Sequence, residues 1–188
     1  KSPNRNSKVF QDKASYTALD LYNLKIGEVP KLLDPIIQKV GLASLVGTSD
    51  SGKSTFLRHL ALAIALKQDN FLGFKLKSAT NKVIYVSTED DYHSISYALR
   101  KQVIQLKKED NSIDLKNLEN LSFIFDSENL LKTLEKYVQN ERVDLIIVDA
   151  FADVFNKEIN ANTQVRQFLN GYDRLAKRFG LLILFLHH

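Results

Sequence analysis

Hydrophobic positions along the chain change period in a regular way. Continuous apolar runs of five or six residues alternate with longer stretches in which apolar residues recur at helical spacing. The runs Gly41–Val46, Val83–Ser87, Leu121–Phe125, Asp144–Val148 and Leu181–Leu186 read as strands. The intervening periodic stretches predict helices over 53–67, 91–108, 127–139 and 162–179. A further short helix is predicted over 16–24, a turn-rich approach between Pro30 and Pro35, a loop around Phe71-Leu72-Gly73-Phe74, and a polar linker over 109–119. The strand runs do not alternate with polar residues, as expected of strands buried on both faces. Strand–helix alternation of this kind builds right-handed βαβ units. The expected fold is therefore α/β, a mostly parallel sheet sandwiched by helices.

Such sheets bind ligands at the carboxyl ends of their strands. The residues following each run are therefore informative as a set. After the first run comes Gly47-Thr48-Ser49-Asp50-Ser51-Gly52-Lys53-Ser54, which satisfies G-x-x-x-x-G-K-[ST] at every position. By chance this pattern arises in about one chain per hundred of this length. The strand before it and the helix after it lower that rate. A glycine at each end is expected to let the loop curl until its N–H groups converge on one anion. Lys53 then reaches the β- and γ-phosphates, and the Ser54 hydroxyl can ligate Mg²⁺. The helix opening at Lys53 adds its N-terminal dipole, and Thr55 completes the nucleotide-binding set. The alternative is a glycine turn that binds nothing.

Thr88-Glu89-Asp90-Asp91 follows the second run. Glu89 is the candidate general base, able to orient a water for in-line attack on a γ-phosphate. Asp90 is a candidate for supporting a metal ion from further out. The plainer reading makes Thr88 a helix N-cap and the acids favourable first-turn charges. Asp149 ends the run Leu145-Ile146-Ile147-Val148, where a carboxylate can hold Mg²⁺ opposite Ser54, or merely cap a turn. His187 and His188 follow the last run and could sense the γ-phosphate. Adjacent on an extended segment, they point to opposite faces and are poorly placed to chelate one ion. Phe151, Phe155 and Lys157 follow Asp149 on one loop, a composition that can stack on single-stranded nucleic acid, or whose phenylalanines can pack beneath the loop.

Bulk properties narrow the classes. The chain has 188 residues, enough for one core. No apolar run approaches the ~20 residues of a membrane span, and the polar start of the chain carries no visible secretory signal. A cytoplasmic protein is the expectation. With no cysteine there is neither a disulfide framework nor a cysteine metal site. A net charge of +4 permits nucleic-acid binding without requiring it. The sequence has no methionine and stops directly after a core-like strand. Residues 1–27 are expected to form an N-terminal arm, and 28–188 an ATPase domain truncated at its C-terminal end.

The ordered set Gly47–Ser54, Val86-Ser87-Thr88-Glu89-Asp90, Ile147-Val148-Asp149 and Leu184-Phe185-Leu186-His187-His188 resembles the RecA-like P-loop ATPases. Within them it is similar to the RepA-type hexameric replicative helicases of plasmids and mobile elements, which carry a like Glu-Asp and His-His. The likeness covers about residues 28–188. It implies that ATP and Mg²⁺ are the cofactors, that Lys53 binds phosphate, that Ser54 and Asp149 serve Mg²⁺, that Glu89 is the base and that His188 is the γ-phosphate sensor. It also implies a homo-oligomeric ring, of hexameric type, with single-stranded DNA in its channel and the loop 151–161 facing that DNA. A second DNA loop and a trans-acting arginine would lie beyond His188. Ala150 stands where many such proteins carry proline or threonine. Two other functions share these motifs in whole or part: a RecA-fold regulatory ATPase that does not unwind DNA, and a P-loop small-molecule kinase. A pure binding module leaves Glu89 and Asp149 unexplained.

Overall fold

The computed structural model describes residues 15–155 and 162–187. In chain order the elements are α1 (Ala18–Asn23), β1 (Lys31–Asp34), β2 (Ile37–Gln38), β3 (Gly41–Val46), α2 (Lys53–Ala65), β4 (Asn70–Phe71), β5 (Phe74–Leu76), β6 (Val83–Ser87), α3 (Tyr92–Glu109), a 3₁₀ turn (Leu115–Asn120), β7 (Leu121–Ile124), α4 (Leu130–Asn140), β8 (Leu145–Asp149), α5 (Phe151–Val154), α6 (Asn162–Phe179) and β9 (Leu182–His187).

Five strands form an all-parallel sheet in the order β3-β9-β8-β6-β7. This is the α/β, helix-sandwiched parallel sheet that the alternation of runs predicts, and it is consistent with the RecA-like P-loop core that the resemblance implies. The β-branched and leucine-rich runs suit it, because the central strands β6, β8 and β9 are buried on both faces. One face packs with α2, through Leu57, Leu60, Ala61 and Ile64. The other packs with α4 and α6, through Leu134, Val138, Tyr172 and Leu175. Strand β9 lies between β3 and β8, so the phosphate-loop strand and the Asp149 strand are not neighbours.

Several stretches depart from the sequence expectation. The approach between Pro30 and Pro35 is a strand, β1, which pairs antiparallel with β2 and β5. The Phe71–Phe74 loop is the tight turn of the β4–β5 hairpin. Together these make a second, four-stranded antiparallel sheet whose Leu32, Leu33, Phe71 and Leu76 join the α2-side core. Strands of two to four residues are too short to show a period, so the turn residues dominated the reading. The polar linker ends in the 3₁₀ turn, and Ile113 and Leu118 pack with Leu62, Leu66 and Leu106. Helix α4 starts at Leu130 rather than 127, after Asn129 in the left-handed region.

At the amino end of β8, Asp144 is a buried anchor. Its carboxylate accepts from the Ala79, Thr80 and Asn81 backbone N–H groups and from the Thr80 hydroxyl, at 2.7–3.1 Å. These bonds fix the crossover into β6. We expect Asp144→Ala to cost about 3 kcal/mol, because several part-buried donors lose one shared buried acceptor. Thermal denaturation should show a fall of about 10 °C for a chain of this size. Nucleotide affinity should be unchanged, since Asp149 lies about 16 Å away at the other end of the strand.

Candidate nucleotide site

The sheet register decides what meets at its carboxyl edge. Val46 pairs with His187, Val148 with Phe185, and Ser87 with Asp149. The phosphate loop, the Glu89 turn, Asp149 and His187 therefore converge on one edge, as the strand-end reading requires. Side-chain alternation then sorts them by face. Tyr85 and Ile147 pack on the α2 side of the sheet, so Ser87 and Asp149, two residues further along, face α2 as well. Phe185 packs on the α4–α6 side, and His187 follows it there.

The loop 47–52 folds as its composition demands at one end only. Gly52 has φ +83 and Asp50 φ +58, left-handed values that turn the chain sharply before α2. Gly47 is different. It lacks a positive φ, and a Cβ there would lie 3.5 Å from Lys53 Cδ and Ser51 Oγ, an ordinary contact. The expected conformational need for glycine thus holds at Gly52 and not at Gly47. Lys53 is buried, and its Nζ donates to the Gly47 carbonyl at 2.8 Å and the Thr48 carbonyl at 2.5 Å. The ammonium is thereby held over the loop.

Ser49, Asp50, Ser51, Gly52, Lys53, Ser54 and Thr55 line a cleft of about 610 Å³, and Glu89 lines its far wall. Glu89 is exposed there, on the turn after β6, with the ends of β9 and β8 between that strand and β3. Thr88 does not cap a helix, contrary to the plainer sequence reading. The N-cap of α3 is Asp91, whose side chain accepts from Ser94 N–H at 2.8 Å. That bond holds the Asp91 carboxyl below its usual range. Asp90 turns toward α2, with Oδ2 3.5 Å from Arg58 Nη1.

Asp149 is 4% exposed. Its Oδ2 accepts a 2.5 Å hydrogen bond from the Tyr85 hydroxyl, and its Oδ1 has no partner. Burial first, and the Asp149 charge second, push the Tyr85 phenol far above its ordinary value, so it stays a donor. A buried carboxylate with one oxygen unsatisfied is costly unless a cation or water completes it. The residues therefore fit Mg²⁺, with Asp149 and the Ser54 hydroxyl as protein groups. Among the described residues no cluster of three or more His, Asp or Glu could cage a metal alone. Phosphate oxygens and water would supply the remaining positions, as is usual for Mg²⁺.

His187 contacts the edge of Phe151, ring centroids 5.7 Å apart, and its Nδ1 is buried without a partner. His188 and Lys157 lie outside the described residues. Phe151 and Phe155 correct an expectation. They are 8% and 3% exposed, stacked on one another at 5.6 Å, and packed with Phe168. Rings sunk in that cluster offer no face to a base, so the packing alternative holds.

The sequence reading missed two residues, Arg58 and Tyr85, and gave Thr88 a different role. Arg58 is a buried cation, 7% exposed, one turn of α2 beyond Ser54. Tyr85 orients Asp149, and Thr88 bonds to the Asp149 turn. Only Tyr85 left a signal, since a tyrosine inside a fully apolar strand needs a partner for its hydroxyl.

A family model described as an AAA domain matches residues 10–188. No curated protein matches the chain.

Tyr85→Phe tests the Asp149 geometry. The variant keeps the packing but frees the carboxylate to rotate, and it should lose about 1 kcal/mol of stability. The Mg²⁺ concentration giving half-maximal nucleotide binding should rise several-fold in a fluorescent-nucleotide titration. An unchanged Mg²⁺ dependence would remove Asp149 from the metal site.

Proposed function

This chain belongs to the AAA-domain family of P-loop ATPases, and from that premise we propose a Mg²⁺-dependent ATP hydrolase that works as a homo-oligomeric ring, of hexameric type, translocating on single-stranded DNA. The observation that carries the hydrolytic part is the shared cleft. Glu89 faces the phosphate loop across about 610 Å³, and Asp149 presents an unsatisfied oxygen at the same edge. A site for binding alone needs the loop but not the two carboxylates.

The roles follow from the chemistry of each group. The Gly47–Ser54 backbone N–H groups and the α2 N-terminus receive the phosphates, with Thr55 beside them. Lys53 exchanges its loop carbonyls for the β- and γ-phosphate oxygens, trading neutral acceptors for charged ones. Asp149 and Ser54 hold Mg²⁺, which when bound offsets phosphate charge. Glu89 accepts a hydrogen bond from the attacking water and aligns it with the γ-phosphorus. His188 is assigned as γ-phosphate sensor by resemblance, and His187 lies against Phe151.

The ring and the DNA substrate rest on the ordered likeness to RepA-type helicases, and the mildly basic charge is compatible with them. The burial of Phe151 and Phe155 favours a second reading, a regulatory ATPase of the same fold that does not unwind DNA. The two readings share the hydrolytic site and differ in what stimulates it.

Lys53→Ala should abolish measurable turnover. Glu89→Gln should retain nucleotide affinity within about threefold and lose about 10²-fold or more in hydrolysis, the scale of a lost general base. Full turnover by Glu89→Gln would show that another group aligns the water. Several-fold stimulation of wild-type turnover by single-stranded DNA would support the translocase. Turnover indifferent to DNA would favour the regulatory reading.

A further inference from the structure

Thr88 stands immediately before Glu89, and its side chain reaches into the turn that follows Asp149. Its Oγ accepts from the Ala150 N–H at 2.9 Å. The same oxygen lies 3.0 Å from the Asp149 carbonyl and 2.6 Å from Asp153 Oδ2 on α5. The Thr88 N–H also donates to the Asp149 carbonyl, at 2.8 Å. One threonine thus clamps both polar groups of the Asp149–Ala150 peptide and touches α5 as well.

The proton count makes this arrangement more than a brace. A hydroxyl carries one hydrogen, and here two acceptors compete for it. The carboxylate of Asp153 is the nearer and the charged one, so it takes the proton. The Asp149 carbonyl already receives the Thr88 N–H and can receive the hydroxyl too. If α5 draws Asp153 away, the hydroxyl rotates to that carbonyl and stays satisfied. Both positions are hydrogen-bonded, so the swing between them leaves no buried group unpaired. Loss of the hydroxyl itself is different, because Ala150 is fully buried and its N–H would then have no acceptor.

We propose that Thr88 is a positioning residue that registers the Glu89 turn against the Asp149 turn, and that Asp153 latches α5 to it through the shared hydroxyl. The position of α5 is thereby passed to Glu89 through one side chain. The structural link needs no particular substrate. Its kinetic consequence rests on the reading above of Glu89 and Asp149 as the hydrolytic pair.

The experiment compares Thr88→Val, Thr88→Ser, Asp153→Ala and the Thr88→Val/Asp153→Ala double variant in steady-state ATP hydrolysis, with nucleotide affinity measured separately. Thr88→Val should lower kcat at least tenfold with affinity within threefold. Thr88→Ser, which keeps the hydroxyl, should restore kcat to within threefold of wild type. Asp153→Ala should lower kcat about threefold, and should have no further effect in the Thr88→Val background. Wild-type kcat in Thr88→Val, failure of serine to rescue, or additive losses in the double variant would each overturn the proposal. Amide hydrogen exchange at Ala150 supplies a readout independent of turnover. It should quicken in Thr88→Val and stay unchanged in Asp153→Ala, and equal exchange in both would overturn the clamp. Glu89→Gln run alongside separates the two ideas. If it hydrolyses at the wild-type rate while Thr88→Val does not, the base assignment fails and the clamp survives. The reverse result removes Thr88 and leaves the base.

Discussion

Burial of the central strands on both faces governs where this protein can place polar chemistry. Within β6, β8 and β9 nearly every side chain is enclosed, so charged groups are confined to the ends of the runs. The two ends do different work. At the amino end Asp144 gathers the donors of a connecting loop and is fully engaged. At the carboxyl end Asp149 is equally enclosed yet keeps one oxygen unmet. The same residue type, at opposite ends of one strand, is in one case structural and in the other open to a cation. The difference lies in the supply of donors around it.

The carboxyl edge is an electrostatic device assembled from separate strands. Lys53 and Arg58 come from α2, Asp90 and Glu89 from the turn after β6, and Asp149 from β8. Both cations are buried, and Arg58 has donors without hydrogen-bond acceptors. Its guanidinium stands near Asp90 and close enough to Tyr85 to oppose the rise of the phenol's pKa. The buried members, Lys53, Arg58 and Asp149, hold little stability in reserve, because their charges have been taken out of water. The arrangement does keep the carboxylates in place before any ligand arrives, which is where preorganised sites gain their advantage.

On the opposite face of the sheet, the aromatic cluster under α5 changes how the following segment is understood. Phe151, Phe155, Phe168, Tyr172 and Phe185 form a chain of edge and stacked contacts. They anchor α5 to the core, while Asp153 on its outer side reaches Thr88. This short helix therefore links the ring cluster to the turn bearing Glu89. His187 joins it through Phe151, which places a second strand end within the same set of contacts.

By itself the sequence determined the α/β class, all five core strands, the four long helices to within about a turn, and the phosphate loop with Glu89 and Asp149 at the strand ends. These are legible because a strand buried on both faces must be a continuous apolar run, and because phosphate binding needs fixed residue types at fixed spacing. The small antiparallel sheet was not legible, since its strands of two to four residues carry no period. Nor was the fate of Phe151 and Phe155, because an aromatic residue near a strand end suits a ligand and a core equally well. Strand order, with β9 between β3 and β8, was decided by tertiary packing alone. So were the partners of Tyr85, Arg58 and Thr88, which lie 64, 32 and 65 positions from Asp149, Asp90 and Asp153. Local pattern records what a residue needs, burial or a hydrogen bond. Which distant residue meets that need is fixed only when the sheet register brings the strand ends together.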